Sequence, residues 1–332
     1  MGPQPSRPIY TSPSVLPIPS DIPRNKILQI AATASLTGGT FIDTKFYAFS
    51  QRQASSGKGN KPLALFANST VLRAACPYFD DLLSQRGFEE NKLVNIDEDY
   101  PADRTANNDQ YDDDDSDLEE DSEEDGVAAT FEQLDSETAS LDSSRKFDDT
   151  KTSEPKWQQN GCSLSFGAQA SDAVSKTARN GHVIHVSDFA HQTLHAFIFY
   201  LYTEDIVFKP LRSSKTEKSE SAVNTVSPNA PSCSPKSLYR LADRYGHQKL
   251  KELCEKEIQR QLNEQNIIAE IFSKFSWRYS PIRDMQLDYL CQFCNNDTVN
   301  AALPALTAQI AEGSLPHCAE VLNLVMSRLM RK

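Results

Sequence analysis

The chain has 332 residues and a net charge of −12, so it is long enough for one large or two ordinary domains. The charge is unevenly spread, because residues 109–125 contain twelve acidic residues and no basic one, and the rest sums to zero. No basic patch large enough for nucleic-acid binding is present, and no apolar run approaches the length of about 18 residues that spans a membrane. We therefore expect neither nucleic acid nor a membrane as a partner.

The N-terminal residues and the cysteines indicate the compartment. Residues 1–26 are rich in Pro and Ser, lack the apolar stretch of a secretory signal and are predicted to be disordered. Seven cysteines at irregular spacing are typical of free thiols in a reducing compartment. The sequence thus predicts a protein of the cytoplasm or nucleus that is not secreted.

Residues 27–96 contain the first part of a predicted folded core. It opens with an apolar segment, 27–35, of undecided type. Residues 40–50 and 63–67 are rich in aromatic, Ile, Thr and Leu residues and are predicted to be strands.

A helical hairpin is predicted in residues 66–90. Apolar side chains recur there at steps of three and four, which places them on one helical face. Pro77 fits the first position of a helix but not its interior, so we predict one helix ending near Ala75 and another starting at Pro77. Cys76 would cap the second helix.

Residues 97–180 are acidic and then rich in Ser, Thr, Asp and Gln, with apolar residues in no period. This composition buries too little apolar surface to offset chain entropy, so one long disordered insertion is predicted. Ser116 and Ser122 are followed by acidic residues and suit acid-directed kinases. We interpret the acidic run as a solvated spacer; the alternative is a segment that competes for a basic surface of a partner or of this chain.

Order is predicted to resume in residues 181–211, the second part of the core. Residues 182–186 are typical of a strand, and Ser187 or Asp188 can cap the amphipathic helix that follows. A flexible loop rich in Ser, Lys and Pro is predicted at 212–233.

The rest of the chain is predicted to be helical. Residues 234–262 form the terminal helices of the core, with a helix start at Ser234 and Pro235 and a stop at Gly246. Region 263–332 is predicted to be an all-helical extension, with amphipathic helices at 267–275, 282–293 and 316–329 and possible caps at Asn266 and Ser314.

Four blocks of this sequence resemble, in order, those of the BTB/POZ family. They are TFIDTKF with Asp43, FANSTVLRAACPYFDDLL, VSDFAHQTLHAFIFYLYT and LYRLADRYGHQKLKELCEKEI. The resemblance covers roughly residues 38–96 and 181–262 and is nearest to fungal members with long insertions, and more distant to the speckle-type POZ adaptors. It implies an α+β fold, the BTB/POZ fold, in which a small sheet packs on helical hairpins. Here that fold would carry the helical extension and the long disordered insertions.

The chain departs from the family pattern at two places. Asn68 and Ser69 stand where the family usually has His followed by Lys or Arg entering the first helix. Residues 92–96 compete with 182–186 for one strand position of the sheet. We prefer 182–186, because Asp188 and a Tyr-Thr pair follow it at the family's spacing.

The resemblance implies a non-catalytic protein–protein interaction protein that forms a homodimer. Many members also dock a cullin scaffold of a ubiquitin ligase and present an unidentified protein substrate to it. Their apolar-x-Glu motif after the second helix corresponds to Phe88 and Glu90, where Phe88 would enter a cullin pocket and Glu90 would add a polar contact. The other interpretation is that Phe88 closes the hairpin core while Glu89 and Glu90 are solvated. The alternative function is a transcription-associated or structural scaffold that binds no cullin.

Two groups of residues contain side chains that can bind metals or take part in catalysis. Cys291, Cys294 and His317 have the residue types of a zinc site, but no second CxxC is present and buried thiols fit the apolar helical face better. The four histidines at 182, 185, 191 and 195 have no carboxylate or thiol at a catalytic spacing, and no nucleophile elbow or phosphate loop is present. The sequence therefore predicts neither an enzyme nor a bound cofactor or metal.

Overall fold

A five-stranded mixed sheet lies at the centre of the described fold. The computed structural model describes residues 22–53, 59–84, 93–101, 116–120, 179–214, 230–293, 296–313 and 315–330. These residues belong to one compact unit. Its sheet strands are β1 (Thr44–Arg52), β2 (Gly59–Ala67), β3 (Leu93–Asn95), β4 (Glu119–Glu120) and β5 (Asn180–Val186).

The sheet has the order β2-β1-β5-β3, and the short β4 pairs with the end of β1. β1 runs antiparallel to β2 and parallel to β5, while β3 runs antiparallel to β5. The two segments that competed for one strand position are therefore both strands, β5 beside β1 and β3 at the edge. Since successive side chains alternate between faces, Phe46 enters the helix-covered core, whereas Tyr47 lies on the opposite face.

Helices account for most of the remaining elements, so the expected mixture of helix and strand around a small sheet is confirmed. From Pro235 onward the described residues form only helices and their links. The helices are α1 (Arg24–Gly38), α2 (Ser69–Ala75), α3 (Pro77–Leu83), α4 (His191–Thr203), α5 (Pro235–Arg244), α6 (Gln248–Arg260), α7 (Ile267–Ile271), α8 (Lys274–Arg278), α9 (Ser280–Phe293), α10 (Asp297–Ala311) and α11 (Cys318–Leu329). Two further strands, β6 (Val207–Phe208) and β7 (Ser232–Cys233), pair with each other. No helix among the described residues is long and apolar enough to cross a membrane.

The predicted hairpin is confirmed as α2 and α3, which meet at Cys76. The Asn68 side chain caps α2 by accepting a hydrogen bond from the amide of Val71 (3.2 Å). Ser69 donates from its amide and its hydroxyl to the Asp43 carboxylate, at 2.6 and 2.5 Å. The two residues that depart from the family pattern thus cap α2 and join it to the start of β1.

One hydrophobic core connects the four blocks that carry the resemblance. Its members include Phe46, Leu72, Phe79, Val186, Leu194, Phe197, Leu201, Leu238, Leu241, Leu250, Cys254 and Ile258. Tyr245, between α5 and α6, lies against this core and stacks on Tyr78 with 4.2 Å between ring centroids. Its hydroxyl is buried, which raises its pKa well above the usual value.

A second core is formed by the helices after α6. It contains Ile267, Ile271, Leu287, Val299, Cys318 and Val321, which come from α7, α9, α10 and α11. The single helix predicted at 267–275 is wrong, because Ser273 interrupts it and caps α8 by accepting from the amide of Ser276 (3.3 Å). α10 is not among the predicted helices and contains Pro304 in its interior.

Two predicted element starts are wrong. α1 begins at Arg24, inside the segment 1–26 that was expected to be disordered. The Arg24 guanidinium donates to the carbonyl of Tyr200 (2.7 Å) and to that of Leu201 at the end of α4, where a cation is favoured. α4 begins at His191 with Ala190 in the cap position and no side-chain cap, so neither Ser187 nor Asp188 caps it.

The prediction that residues 97–180 form one disordered insertion is wrong for the parts the structure describes. Residues 97–101 cross the outer face of the sheet, where the Lys45 ammonium and the Tyr47 hydroxyl donate to the carbonyl of Glu98 (2.7 and 3.1 Å). Residues 116–120 pack further along the same strand, as described below. Residues 102–115 and 121–178 lie outside the described residues, as do 215–229 of the predicted flexible loop.

Candidate functional site

The residues predicted to contact a cullin, Phe88 and Glu90, lie outside the described residues. The chain is described up to Ser84, just after α3, and again from Leu93. Leu83, at the end of α3, is buried in the core, and Leu93 is 64% exposed. The docking prediction therefore stays a prediction, as does the alternative that Phe88 closes the hairpin core.

The cysteines and the histidine weighed as a zinc site lie in the C-terminal helices. Cys291 is buried, and Cys294 lies outside the described residues. His317 and Cys318 both contact the carbonyl oxygen of Phe272, at 3.0 and 3.4 Å. Burial raises the pKa of the Cys318 thiol, which favours the neutral form over the thiolate that binds metals. Within the described ranges, no three His, Cys, Asp or Glu residues are grouped so as to hold a metal ion.

The four neighbouring histidines separate into two environments. His185 stacks on Tyr47 on the outer face of the sheet, with 5.6 Å between ring centroids. The rings of His191 and His195 on α4 have their centroids 6.1 Å apart, and burial lowers the pKa of both side chains. They line a cavity of about 330 Å³ together with Asp117. In the sequence no carboxylate lies at a catalytic spacing from these histidines, and the structure brings Asp117 to the same cavity from 74 residues away.

A larger cavity of about 410 Å³ lies between the two cores. Four basic side chains line it, and we call it the basic pocket: Arg212, Lys236, Arg240 and Lys274. One carboxylate, that of Glu270, also lines it. Its volume is within the usual range of ligand pockets, and its excess of cations favours an anionic group.

The charges of the basic pocket are held by the surrounding helices. The Glu270 carboxylate pairs with the Lys236 ammonium (2.6 Å) and accepts from the Ser213 hydroxyl (2.6 Å). Arg240 lies over the ring of Phe189 and donates to the carbonyl of Asp188 (3.2 Å). Arg212 and Lys274 are exposed at the rim. The pocket thus combines two buried or half-buried cations with two exposed ones.

Residues 116–120, which we call the anchor segment, lie beside this pocket. The Asp117 carboxylate is fully buried and accepts from the Ser234 amide through both oxygens, at 3.0 and 2.8 Å. It also accepts from the Thr193 hydroxyl (2.9 Å) and pairs with the Lys209 ammonium (2.9 Å). These groups come from the first turn of α4, the link after β6 and the cap of α5. Asp117 therefore joins three parts of the core.

The two neighbours of Asp117, Ser116 and Leu118, also contact the core. Leu118 is 2% exposed and packs in a small cluster with Phe49 and Ala190. Ser116 is half-buried and lines the basic pocket, and the Arg212 guanidinium donates to its carbonyl oxygen at 3.4 Å. The anchor segment therefore holds Ser116 at the pocket by burying the two residues that follow it.

Sequence reasoning singled out Ser116 but missed the rest of this site. Asp117 is one of twelve acidic residues in 109–125, and nothing local distinguishes it. The available signal is Leu118, the single aliphatic residue in that run. An isolated leucine in a highly charged stretch does not by itself predict a core position, yet Leu118 is buried.

No family model matches this chain, and no curated protein matches it.

Proposed function

We propose that this chain is a non-catalytic protein–protein interaction module of the BTB/POZ type that forms a homodimer. The observation that carries this proposal is that the four blocks resembling the family pack around one core, although the third begins more than a hundred residues after the second. A small sheet packed against α4, with the α2–α3 hairpin and the α5–α6 pair in the same core, is the architecture that the resemblance implies.

Exposed apolar side chains support self-association at one end of the sheet. Leu36 in the last turn of α1 is 83% exposed, and Phe41 and Phe66 are 37% and 48% exposed. The side-chain NH₂ of Asn68 donates to the backbone carbonyl of Phe41 (2.5 Å), which places Phe41 near the end of β2 that carries Phe66. Large apolar side chains grouped on a surface are typical of protein–protein contacts.

Light scattering of the full chain tests the homodimer. We expect a dimer at micromolar concentration and a shift toward monomer when Leu36→Asp and Phe66→Asp are combined, because a charge in an apolar interface must be desolvated. Met326→Asp, at an apolar site on α11 that is about as exposed as Phe66 (46% against 48%), is the matched control and should leave the dimer intact. A monomeric intact chain at that concentration would count against the proposal.

A second part of the proposal is an adaptor role in a cullin–RING ubiquitin ligase. Phe88 and Glu90 follow the end of α3, which is the place of the apolar-x-Glu motif in adaptor members. α7 and α9 to α11 form their own core and supply the surface for an unidentified substrate or for an extended cullin contact.

Co-precipitation with a cullin tests the adaptor role. We expect the intact chain to bind and the double variant Phe88→Ala with Glu90→Ala to bind at least about tenfold less, as for loss of a buried interface anchor. Glu89→Ala, between the two sites, should bind normally. An intact chain that dimerises but binds no cullin would reject the adaptor role and favour the structural or transcription-associated scaffold.

A further inference from the structure

We propose that Ser116 is a phosphorylation site and that its phosphate binds in the basic pocket, where it holds the anchor segment in place. This inference rests on the described site and does not depend on the proposed dimer or on a cullin. Three observations support it: the sequence around Ser116, the cations that share its cavity, and the burial of the residues next to it.

The sequence around Ser116 suits an acid-directed serine kinase. Acidic residues follow at Asp117, Glu119 and Glu120, and four consecutive aspartates precede the serine. In the reaction the Ser116 hydroxyl oxygen attacks the γ-phosphorus of ATP on the kinase. An oxygen–phosphorus bond forms, the bond to ADP breaks, and the hydroxyl proton passes to the kinase.

The cavity beside Ser116 is suited to the product. A phosphoserine carries a charge between about −1.5 and −2 at neutral pH and three strong acceptor oxygens. Four cations and one carboxylate line the same cavity as Ser116. The Glu270 carboxylate is paired with Lys236, and the exposed rim residues Arg212 and Lys274 line the cavity, so a phosphate on Ser116 would gain charge-assisted contacts with them. Without these cations, the phosphate would be repelled by the acidic residues on both sides of Ser116.

The anchor segment determines when the kinase can act. Asp117 and Leu118 are buried in the docked segment, so a kinase that reads the acidic residues after Ser116 can bind only when the segment is released. The phosphate then strengthens docking, because it gains contacts in the basic pocket only in the docked state. Phosphorylation would thus convert a reversible contact between the insertion and the core into a tighter one.

Hydrogen exchange on the phosphorylated full chain tests this proposal. The chain is treated with ATP and casein kinase II, an acid-directed kinase, and the sites are mapped by mass spectrometry. We expect phosphate on Ser116 and exchange at the Ser234 amide slowed at least about tenfold, the effect of one added charge-assisted hydrogen bond. The Ser234 amide reports docking directly, because it donates to the Asp117 carboxylate.

Matched variants separate a specific contact from a general effect of charge. Ser116→Ala leaves Ser122 for the kinase and should show no slowing. Arg212→Gln with Lys274→Gln should remove most of the gain, whereas Lys256→Gln, exposed on α6 away from the pocket, should retain it. Unchanged or faster exchange after modification of Ser116 would overturn the proposal. So would an unmodified Ser116 under conditions that phosphorylate Ser116 itself in a peptide of residues 110–125.

Discussion

Gly181→Ala is expected to lower the free energy of unfolding by about 3 kcal/mol, the upper end of the usual cost of overpacking. Gly181 lies in β5, where the edge strand β3 and the residue before β1 both approach it. A Cβ atom at this position would lie 2.3 Å from the carbonyl oxygen of Asp43 and 2.7 Å from a methyl carbon of Ile96. Both distances are far inside van der Waals contact.

The clash at Gly181→Ala destabilises the fold strongly because the nearest atom, the carbonyl oxygen of Asp43, belongs to the backbone. The Asp43 carbonyl accepts a hydrogen bond from the amide of His182 (2.8 Å), so moving it away breaks the first link between β1 and β5. Moving Gly181 instead disturbs its pairing with Val94 in β3. The sheet must therefore lose contacts on one side or the other of this glycine.

Chemical denaturation of the variant and of Gly38→Ala provides the measurement. Gly38 ends α1 and has no atom within 4 Å of a built Cβ, so the same substitution there should leave stability unchanged or raise it by up to about 1 kcal/mol. If Gly181→Ala and the unaltered chain had equal unfolding free energies, Asp43 and Ile96 would not approach Gly181 closely enough to exclude a Cβ atom.

Local signals in the sequence were sufficient to predict several elements. Pro77 at a first helical position separates α2 from α3, and Ser234 followed by Pro235 starts α5, which ends just before Gly246. Each of these signals acts through the conformation or the hydrogen bonds of the residues next to it. The hairpin and the start of α5 were therefore predictable without knowledge of the tertiary structure.

Other elements depend on contacts between residues that are distant in the sequence. α10 contains Pro304, which argues against a helix interior, but Val299 and Leu306 are buried in the second core and tertiary packing prevails. The basic pocket combines Lys236 and Arg240 of α5 with Arg212 and Lys274 from two other segments, and none of these segments forms a charge run of its own. Sequence reasoning could name Ser116 from its neighbours but could not assign it a binding surface.

Asp117→Asn is expected to lower the free energy of unfolding by about 2–3 kcal/mol. The substitution keeps the shape of the side chain but removes its charge and replaces one acceptor oxygen with an NH₂ donor. Both carboxylate oxygens accept hydrogen bonds, so this donor must face the Ser234 amide, the Thr193 hydroxyl or the Lys209 ammonium. Facing the Lys209 ammonium the donor has no acceptor, which costs about 1–3 kcal/mol; facing the Thr193 hydroxyl it can be accepted, but the Ser234 amide loses the shorter of its two hydrogen bonds. Loss of the ion pair adds to the cost in either orientation.

The location of Asp117 limits this effect and makes it measurable in two ways. Lys209 is 32% exposed and can be rehydrated, and the anchor segment can leave the core as a unit, so the loss should not exceed the free energy of docking. We therefore expect faster exchange at the Ser234 amide together with the lower unfolding free energy. Asp205→Asn, an exposed carboxylate after α4, is the control and should change stability by less than about 0.5 kcal/mol. If both variants behaved alike, Asp117 would not fasten the insertion to the core, and Ser116 would have no fixed position at the basic pocket.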